Sequence, residues 1–224
     1  GCSELIETSG PCIQSESGDL IAIGCPLKCW DGSNPIGQTG VLLRSKDKGK
    51  TWDSSGRFFD TPQKNVSPFE SRICEIAPGR LVTIAWAFNI SENRHLPNLV
   101  TVSHDDGYSW SEPIDTGHMA QASNLMSLGD DLLLTIHAHR AGEVGLTVRL
   151  VDFKNDQWRV REETVIWGAA QSQVTSKNFI EQFGDLKFGQ PSLLRLNYNE
   201  VLATHWCVEN GMHKIKTHRL ELTL

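Results

Sequence analysis

The hydrophobic pattern of the chain consists of short, strand-sized apolar runs separated by turn residues. A run, a tight turn containing Gly, Asp or Asn, and a second run recur four times, which is the pattern of a β-hairpin. Leucines in equivalent positions after the turns are spaced 61, 51 and 70 residues apart. No helical period is sustained, and the best helix candidate lies within residues 176–183. The predicted hairpins are residues 12–23, 72–84, 124–135 and 192–203, with Leu20, Leu81, Leu132 and Leu202 as the equivalent leucines.

Each hairpin is followed by a third apolar run, and in the first three units a fourth apolar run comes after it. Four strands in a repeat of 50 to 70 residues are typical of one blade of a β-propeller. The sequence therefore predicts an all-β fold, a β-propeller of four-stranded antiparallel blades, in a single domain that covers residues 1–224. The predicted blades are approximately residues 11–60, 68–117, 119–168 and 187–224, and residues 1–10 are the outer strand of a preceding or closing blade.

Two turns share the pattern Ser-x-Asp-x-Gly-x-(Thr/Ser)-Trp, at residues 45–52 and 103–110, and their first residues are 58 positions apart. The aspartate can accept hydrogen bonds from amides of its own turn, and the hydroxyl residue can hold the far arm. Glycine supplies a positive φ without a steric clash. Tryptophan buries a large ring and keeps one N–H for a partner. Both segments are therefore predicted to be fixed hairpin turns.

This turn pattern resembles the Asp-box, or BNR, repeat of sialidase-like β-propellers. Residues 203–211 and 215–220 also resemble the final blade of that superfamily, whose members have six blades. The resemblance covers nearly the whole chain and implies a six-bladed fold of which about four blades are present. The alternative is a closed four-bladed ring, in which the strand at residues 3–10 completes the last blade. An incomplete propeller would expose sheet edges that missing blades or another chain, in an oligomer, could cover.

Composition and charge exclude several classes of partner. The net charge is −6 and the pI is near 5.7, so the basic surface that a nucleic acid requires is not expected. The longest apolar runs are strand-sized and much shorter than the ~20 residues of a membrane-spanning helix.

No signal peptide opens this sequence, so a secreted, periplasmic or cytoplasmic location stays open. Six scattered cysteines are too few for a disulfide scaffold, and a Cys25–Cys29 link is the alternative to buried thiols.

Polar and aromatic residues cluster where the first and second strands of the predicted blades end. The first strands of a propeller surround its axis, so these residues are expected to line a pocket. Amides, arginines and histidines bind sugar hydroxyls or carboxylates, and tryptophan offers a ring face. The sequence therefore predicts a glycan or other carbohydrate as the partner, without a cofactor or metal. The candidate residues are Glu70, Arg72, Gln121, His137, Arg140, Gln190, His205, Trp206 and Glu209.

The sialidase resemblance implies roles for some of these residues. Sialidases hold the sugar carboxylate with three arginines and use a tyrosine nucleophile, a glutamate that activates it, and an aspartic acid as general acid. Residues 70–75 resemble the strand that carries the glutamate, so Glu70 is the candidate catalytic residue and Arg140 the candidate carboxylate ligand. The alternatives are a structural ion pair between Glu70 and Arg72 and a solvated strand end at Arg140.

The tyrosines of the chain depart from the sialidase pattern, and two of its histidines raise the alternative of a metal site. The chain has two tyrosines, Tyr108 in the second Asp-containing turn and Tyr198 in a hairpin turn, and neither is expected at the axis. Catalysis through a tyrosine is therefore not expected. His137 and His139 share a strand face, but no third ligand has a suitable spacing, so they are predicted to be polar lining and not a metal pair.

Three functions are consistent with these observations. The first is a sialidase-like glycoside hydrolase, complete or incomplete, that acts on glycans. The second is a non-catalytic carbohydrate-binding propeller, which the absent tyrosine and the aromatic Trp86 and Trp206 favour. The third is a protein-interaction propeller, because the same scaffold serves many functions.

Overall fold

The computed structural model describes residues 5–27, 33–34, 37–140, 144–168 and 186–223. Within these ranges the chain is mostly β-strand, with a short 3₁₀ helix at Lys154–Asp156. Among the described residues, no helical segment has the length and apolar character that crossing a membrane requires. The helix candidate within residues 176–183 and the Cys29 end of the Cys25–Cys29 alternative lie outside the described residues.

The first two sheets are each built from five antiparallel strands. The first sheet contains β1 (Leu5–Glu7), β2 (Ile13–Gln14), β3 (Leu20–Leu27), β4 (Gly40–Ser45) and β5 (Asp53–Phe59). The second contains β6 (Val66–Ala77), β7 (Arg80–Asn89), β8 (Arg94–His95), β9 (Leu99–Ser103) and β10 (Ile114–Asp115). The strand orders are β1-β3-β4-β5, with β2 also paired to β3, and β6-β7-β9-β10, with β8 also paired to β7.

The third and fourth sheets are simpler, and their strands pair in chain order. The third sheet has four strands, β11 (Ser123–Gly129), β12 (Leu132–His139), β13 (Gly145–Asp152) and β14 (Arg159–Gly168). The fourth has three, β15 (Phe188–Arg195), β16 (Glu200–Glu209) and β17 (Met212–Glu221). Sheets one and two pack through β3 and β6, sheets two and three through β6 and β11, and sheets three and four through β11, β12 and β15. The predicted all-β propeller of antiparallel blades is confirmed.

The core lies between neighbouring blades, and the middle strands are apolar on both faces. Leu81 packs with Phe58 of the first sheet, whereas its neighbour Val82 packs with Leu133 of the third. Leu134, next to Leu133, belongs to the core that the third sheet shares with the fourth. Successive strand residues point to opposite faces, so a blade between two others needs a continuous apolar run. This is why the second strands of the second and third hairpins read as nearly continuous apolar series.

The first Asp-containing turn forms the hydrogen bonds that its residues predict. The Asp47 carboxylate accepts from the Thr51 backbone N–H at 2.9 Å and from the Thr51 hydroxyl at 2.7 Å. Gly49 has a φ of +85°, and its carbonyl accepts from Nε1 of Trp52 at 3.2 Å. The Thr51 bonds are the largest cause that lowers the pKa of Asp47 to about 2, because they stabilise the ionised carboxylate.

The second turn repeats this geometry, but the two tryptophans differ in burial. The Asp105 carboxylate accepts from Ser109 N–H at 2.8 Å and from the Ser109 hydroxyl at 2.6 Å. Trp110 packs edge-on against Phe58, with ring centroids 6.2 Å apart, and so contributes to the core between the first two blades. Trp52 is 43% exposed, and the prediction that it is buried is wrong. Trp52 lies in a turn of the first sheet. Trp110 lies in a turn of the second sheet and packs against the first sheet.

The N-terminal strand belongs to the first sheet, which corrects the prediction that residues 1–10 form the outer strand of another blade. Strand β1 runs antiparallel to β3, and Glu7 lies opposite Cys25 in the register. Strand β2 pairs with the earlier part of β3, so β1 and β2 together occupy the inner edge of the sheet. Gly24 permits this approach, because a side chain there would collide with the Glu7 carbonyl. The closed-ring alternative requires this strand to complete the last blade. The strand instead pairs with β3 of the first sheet, so that alternative is not supported.

Candidate active site on the propeller axis

The inner strands β6 and β15 are each interrupted by a bulge that carries a candidate site residue. The register of β6 shifts between Phe69 and Arg72, and the residue within this bulge, Glu70, has a φ of +45°. The register of β15 shifts between Gly189 and Ser192, and Gln190 has a φ of +48°. A bulge redirects a side chain out of the regular alternation of a strand. These residues therefore lie within the strands and not at their ends, where the sequence placed them.

The two bulges meet, although their residues are 120 positions apart in the chain. The Gln190 side-chain amide donates from Nε2 to Oε1 of Glu70. Oε1 of Gln190 accepts a 2.6 Å hydrogen bond from Nη2 of Arg72. An arginine only donates, so this contact fixes the orientation of the Gln190 amide and directs its NH₂ group at the carboxylate. Blades two and four are thus joined across the axis.

Arg72 is held by several further acceptors in addition to Gln190. Its Nη1 donates to the Ser9 hydroxyl at 2.9 Å and to the backbone carbonyls of Glu70 and Ser71, both at 3.0 Å. Ser9 follows β1, so the inner edge of the first blade also contributes to the cluster. Arg72 is 4% exposed, and this burial lowers its pKa, although the Glu70 charge opposes the shift. Arg72 therefore ties three blades together.

Arg140 reaches the same place from the third blade. Its backbone N–H donates to Oε1 of Gln121 at 2.9 Å, and its Nε donates to the carbonyl of Phe188 at 3.1 Å. Gly189 leaves room for the guanidinium, because a side chain at that position would collide with it. Burial lowers the pKa of Arg140, which is 3% exposed.

One acceptor and one donor in this cluster face each other without forming a hydrogen bond. Oε2 of Glu70 and Nη1 of Arg140 are 3.8 Å apart, close enough for an ion pair but too far for a hydrogen bond. Both atoms are buried and have no hydrogen-bond partner. Buried polar groups are usually paired, so an unsatisfied donor and acceptor at one point indicate a place for a ligand or water.

The surroundings of Glu70 raise the pKa of its carboxyl above the ordinary value. Burial is the largest effect and raises the pKa of the carboxyl, whereas Arg140 and Arg72 lower it. The charge of Glu7 raises it further, so a second carboxylate lies within electrostatic range of the first. Sequence reasoning missed Glu7 because it assigned residues 3–10 to an outer strand. No motif around Glu7 would have corrected this, since its position depends on the pairing of β1 with β3.

The structure brings five of the nine candidate residues together and separates the other four. Glu70, Arg72, Gln190 and Arg140 are in contact, and Gln121 holds the backbone of Arg140. The remaining candidates are His137, His205, Trp206 and Glu209.

His137 is a core residue, since it is 0% exposed and both of its ring nitrogens have partners. Its Nδ1 lies 3.0 Å from Oδ1 of Asn98 and 3.2 Å from the Ser123 hydroxyl, and its Nε2 lies 2.9 Å from the Thr135 hydroxyl. The His137 and His139 rings are 6.4 Å apart. Among the described residues, no group of three or more His, Cys, Asp or Glu side chains is arranged to hold a metal ion.

The three candidates on β16 lie away from the axial cluster. His205 is 2% exposed and packs between the third and fourth blades, stacked on His218 and in contact with Trp167. Burial is the main reason that its pKa is lowered to about 4. Trp206, on the opposite face of β16, is half-buried near His213. Glu209, at the strand end, forms ion pairs with Lys214 and Lys216.

Both tyrosines are exposed, and neither is part of the axial cluster, as predicted. Tyr108 is 64% exposed in the second Asp-containing turn, and Tyr198 is 72% exposed in the turn between β15 and β16. These are the only tyrosines in the sequence. Neither is in contact with Glu70 or Arg140, so the axial cluster contains no tyrosine nucleophile.

Solved structures resemble this chain at low sequence identity. A protein of unknown function from Dyadobacter fermentans DSM 18053 has a TM-score of 0.71 at 18% identity, over 97% of this chain and 54% of its own. An α-L-arabinanase from Penicillium chrysogenum, complexed with arabinobiose, has a TM-score of 0.63 at 14% identity, over 97% and 67%. An α-L-arabinofuranosidase from Fusarium graminearum, bound to an iminosugar inhibitor, has a TM-score of 0.64 at 13% identity, over 97% and 66%.

These similarities show the fold. No family model and no curated protein matches the chain. The chain spans about half the length of the Dyadobacter protein. The two named enzymes are glycoside hydrolases of other kinds and not sialidases, so they support the predicted propeller but give no support to the sialidase or Asp-box assignment.

Proposed function

We propose that this chain carries the axial site of a glycan-acting propeller of the glycoside hydrolase type, with Glu70 as its catalytic carboxyl group. The observation that carries the proposal is the buried Glu70 carboxyl, whose Oε2 faces Arg140 at 3.8 Å without a hydrogen bond. Glycosidic bonds are hydrolysed by pairs of carboxyl groups, one of which donates a proton to the leaving oxygen. Burial raises the pKa of Glu70, which suits it to that role.

In this proposal Glu7 is the second carboxylate. Glu70 gives its proton to the glycosidic oxygen as the bond from that oxygen to the anomeric carbon breaks. Glu7 removes a proton from the water that attacks the anomeric carbon, so the products are a free sugar and an alcohol. Arg72 and Gln190 hold the Glu70 carboxyl in place, and Gln121 and the Phe188 carbonyl hold Arg140.

The solved structures suggest which substrates to test first. The Penicillium and Fusarium enzymes are described by their activity on arabinose-containing sugars, at 14% and 13% identity to this chain. Arabinosides are therefore the first candidates, and a xylan β-1,4-xylosidase from Bacillus halodurans C-125, with a TM-score of 0.61 at 10% identity, adds xylosides to the panel. The sialidase subtype is a narrower form of the proposal that rests on the two turns and the final blade, and the exposed positions of Tyr108 and Tyr198 count against it.

The test is hydrolysis of a panel of aryl glycosides by the wild-type chain and by Glu70→Gln. General acid–base catalysis contributes about 10²–10⁴-fold, so we expect a loss of at least 100-fold in kcat/KM. Glu209→Gln is the matched control, because Glu209 is ion-paired away from the axis, and it should retain activity. Activity of Glu70→Gln equal to that of the wild type would exclude Glu70 as the catalytic residue.

A second candidate function is carbohydrate binding without hydrolysis. The observation that favours it is that Oε1 of Glu70 is already held by the Gln190 amide, which Arg72 orients in turn, as in a structural network. Binding of a glycan by the wild type, with no hydrolysis and with retained binding by Glu70→Gln, would support this function and contradict the hydrolase.

A further inference from the structure

The arginines at the axis differ in how many of their donors are already used. Both terminal nitrogens of Arg72 donate within the protein, to Ser9, to two backbone carbonyls and to Gln190. Arg140 uses its Nε for the Phe188 carbonyl, and its Nη1 has no partner. A sugar carboxylate is best held by two parallel N–H donors from one guanidinium. The axial cluster does not offer such a free pair at Arg72, because Gln190 occupies Nη2 while Ser9 and the two carbonyls occupy Nη1.

The polar groups that are free have the chemistry of a hydroxyl site. Oε2 of Glu70 accepts a hydrogen bond, and Nη1 of Arg140 donates one. A hydroxyl oxygen can lie about 2.8 Å from both atoms, which are 3.8 Å apart, and can donate to the first while it accepts from the second. A carboxylate can only accept, so it would satisfy Arg140 but repel Oε2 of an ionised Glu70.

The charges of the cluster lead to the same conclusion. Glu70 and Glu7 carry two negative charges when ionised, and Arg72 and Arg140 carry two positive charges. When both carboxyls are ionised, the described axial groups therefore balance one another and leave no excess positive charge for an anionic ligand. An added carboxylate would be buried without a cation of its own, which is unfavourable in a desolvated site.

We propose that Gln190 makes this site selective for uncharged sugars, because it caps Nη2 of Arg72 and leaves, among the described axial groups, the Glu70–Arg140 pair to bind one neutral hydroxyl. This inference rests on the proposed function and specifies its substrate class. It also identifies Gln190 as a specificity-determining residue that positions both Glu70 and Arg72. A shorter residue at position 190 would release Nη2 of Arg72 towards the axis, while Nη1 stays bound to Ser9 and the two carbonyls.

The experiment compares binding of matched aryl glycosides that differ only in CH₂OH or carboxylate, such as galactoside and galacturonide, or glucoside and glucuronide. We expect the wild type to bind the neutral member at least tenfold more tightly. Gln190→Ala should reduce that ratio about tenfold through a gain in affinity for the acidic member. Gln190→Glu tests the cap by itself, because its carboxylate still accepts from Arg72 although it no longer donates to Glu70, and it should keep the acidic sugar excluded. Circular dichroism and thermal unfolding establish that both variants fold.

Different results separate this inference from the proposed function. Equal or tighter binding of the acidic sugar by the wild type would overturn the selectivity and leave a glycan-acting site in place. An unchanged ratio in folded Gln190→Ala would overturn the role of Gln190. If no neutral or acidic glycoside of the panel and no arabinoside or xyloside binds, the proposed function fails, and the inference fails with it.

Discussion

Replacing Arg140 with Met removes the cation that faces Glu70 while it keeps much of the side-chain volume. Arg140 is 3% exposed and Glu70 is 16% exposed, so the charges are mostly shielded from water. When Glu70 is protonated, the substitution alters only packing and the Phe188 contact, a loss of about 1 kcal/mol. When Glu70 is ionised, loss of the partner of a buried charge costs about 3–5 kcal/mol. The partial exposure of Glu70 places the expected value near the lower end, about 3 kcal/mol.

The sign of the pH dependence follows from the raised pKa of Glu70. A carboxyl whose folded pKa lies above its unfolded pKa stabilises the fold at low pH, and this stability is lost as the pH rises through the folded pKa. The charge of Arg140 is the largest of the effects that lower the pKa of Glu70. Arg140→Met therefore raises this pKa further and enlarges the loss of stability at high pH. We expect a destabilisation of about 1 kcal/mol near pH 4 and about 3 kcal/mol at pH 8, measured by guanidinium unfolding.

The matched control adds Glu70→Gln, whose amide does not ionise. The effect of Arg140→Met in that background should be the same at both pH values. If Arg140→Met alone destabilises the protein equally at pH 4 and pH 8, Glu70 does not depend on Arg140, and the electrostatic description of the cluster is wrong.

Two further predictions concern the fold. Leu133→Ala should lower the free energy of unfolding by about 2–5 kcal/mol in chemical denaturation, because Leu133 is 0% exposed in the core between the second and third blades; a loss below about 1 kcal/mol would contradict that packing. His205→Phe keeps a ring against His218 and Trp167 but removes a histidine whose folded pKa is lowered to about 4. The wild type should therefore lose about 2–3 kcal/mol as the pH falls from 6.5 to 4, and thermal unfolding of His205→Phe should show a weaker dependence; equal slopes would contradict the assignment.

Much of the fold follows from local rules. Leu81 and Val82 are adjacent yet serve different cores, and a run of apolar residues signals this double burial directly. The turn around Asp47 is specified by its own side chains, so its geometry follows from eight residues. Glu70 and Gln190 can be recognised as candidate site residues from the sequence, because each is a polar residue in the first strand of a predicted blade.

The assignment of the N-terminal strand required information that local sequence does not contain. Residues 3–10 resemble residues 111–117, the outer edge of the second predicted blade, and this resemblance predicts the same position for both segments. Whether a strand lies at the inner or outer edge depends on its partner, and β1 pairs with β3, where Gly24 admits it. This difference moved Glu7 from a surface strand to the neighbourhood of Glu70.

The composition of the axial cluster was predictable only in part. The contact between Glu70 and Gln190 depends on bulges in two strands, and register shifts of this kind have no clear signal in a single sequence. His137 and His205 point to strand faces that a neighbouring blade covers, so both polar side chains are buried. Trp206 alternates with His205 and therefore points to the other face of the same strand.

The central claim is that the propeller axis holds a desolvated Glu70 carboxyl opposite Arg140. The most direct measurement is an NMR titration of the side-chain carboxyl of Glu70 in the wild type and in Arg140→Met. The structure predicts a pKa above the usual 4.5 in the wild type and a further rise in the variant. A pKa at or below 4.5 that does not respond to Arg140→Met would contradict the claim.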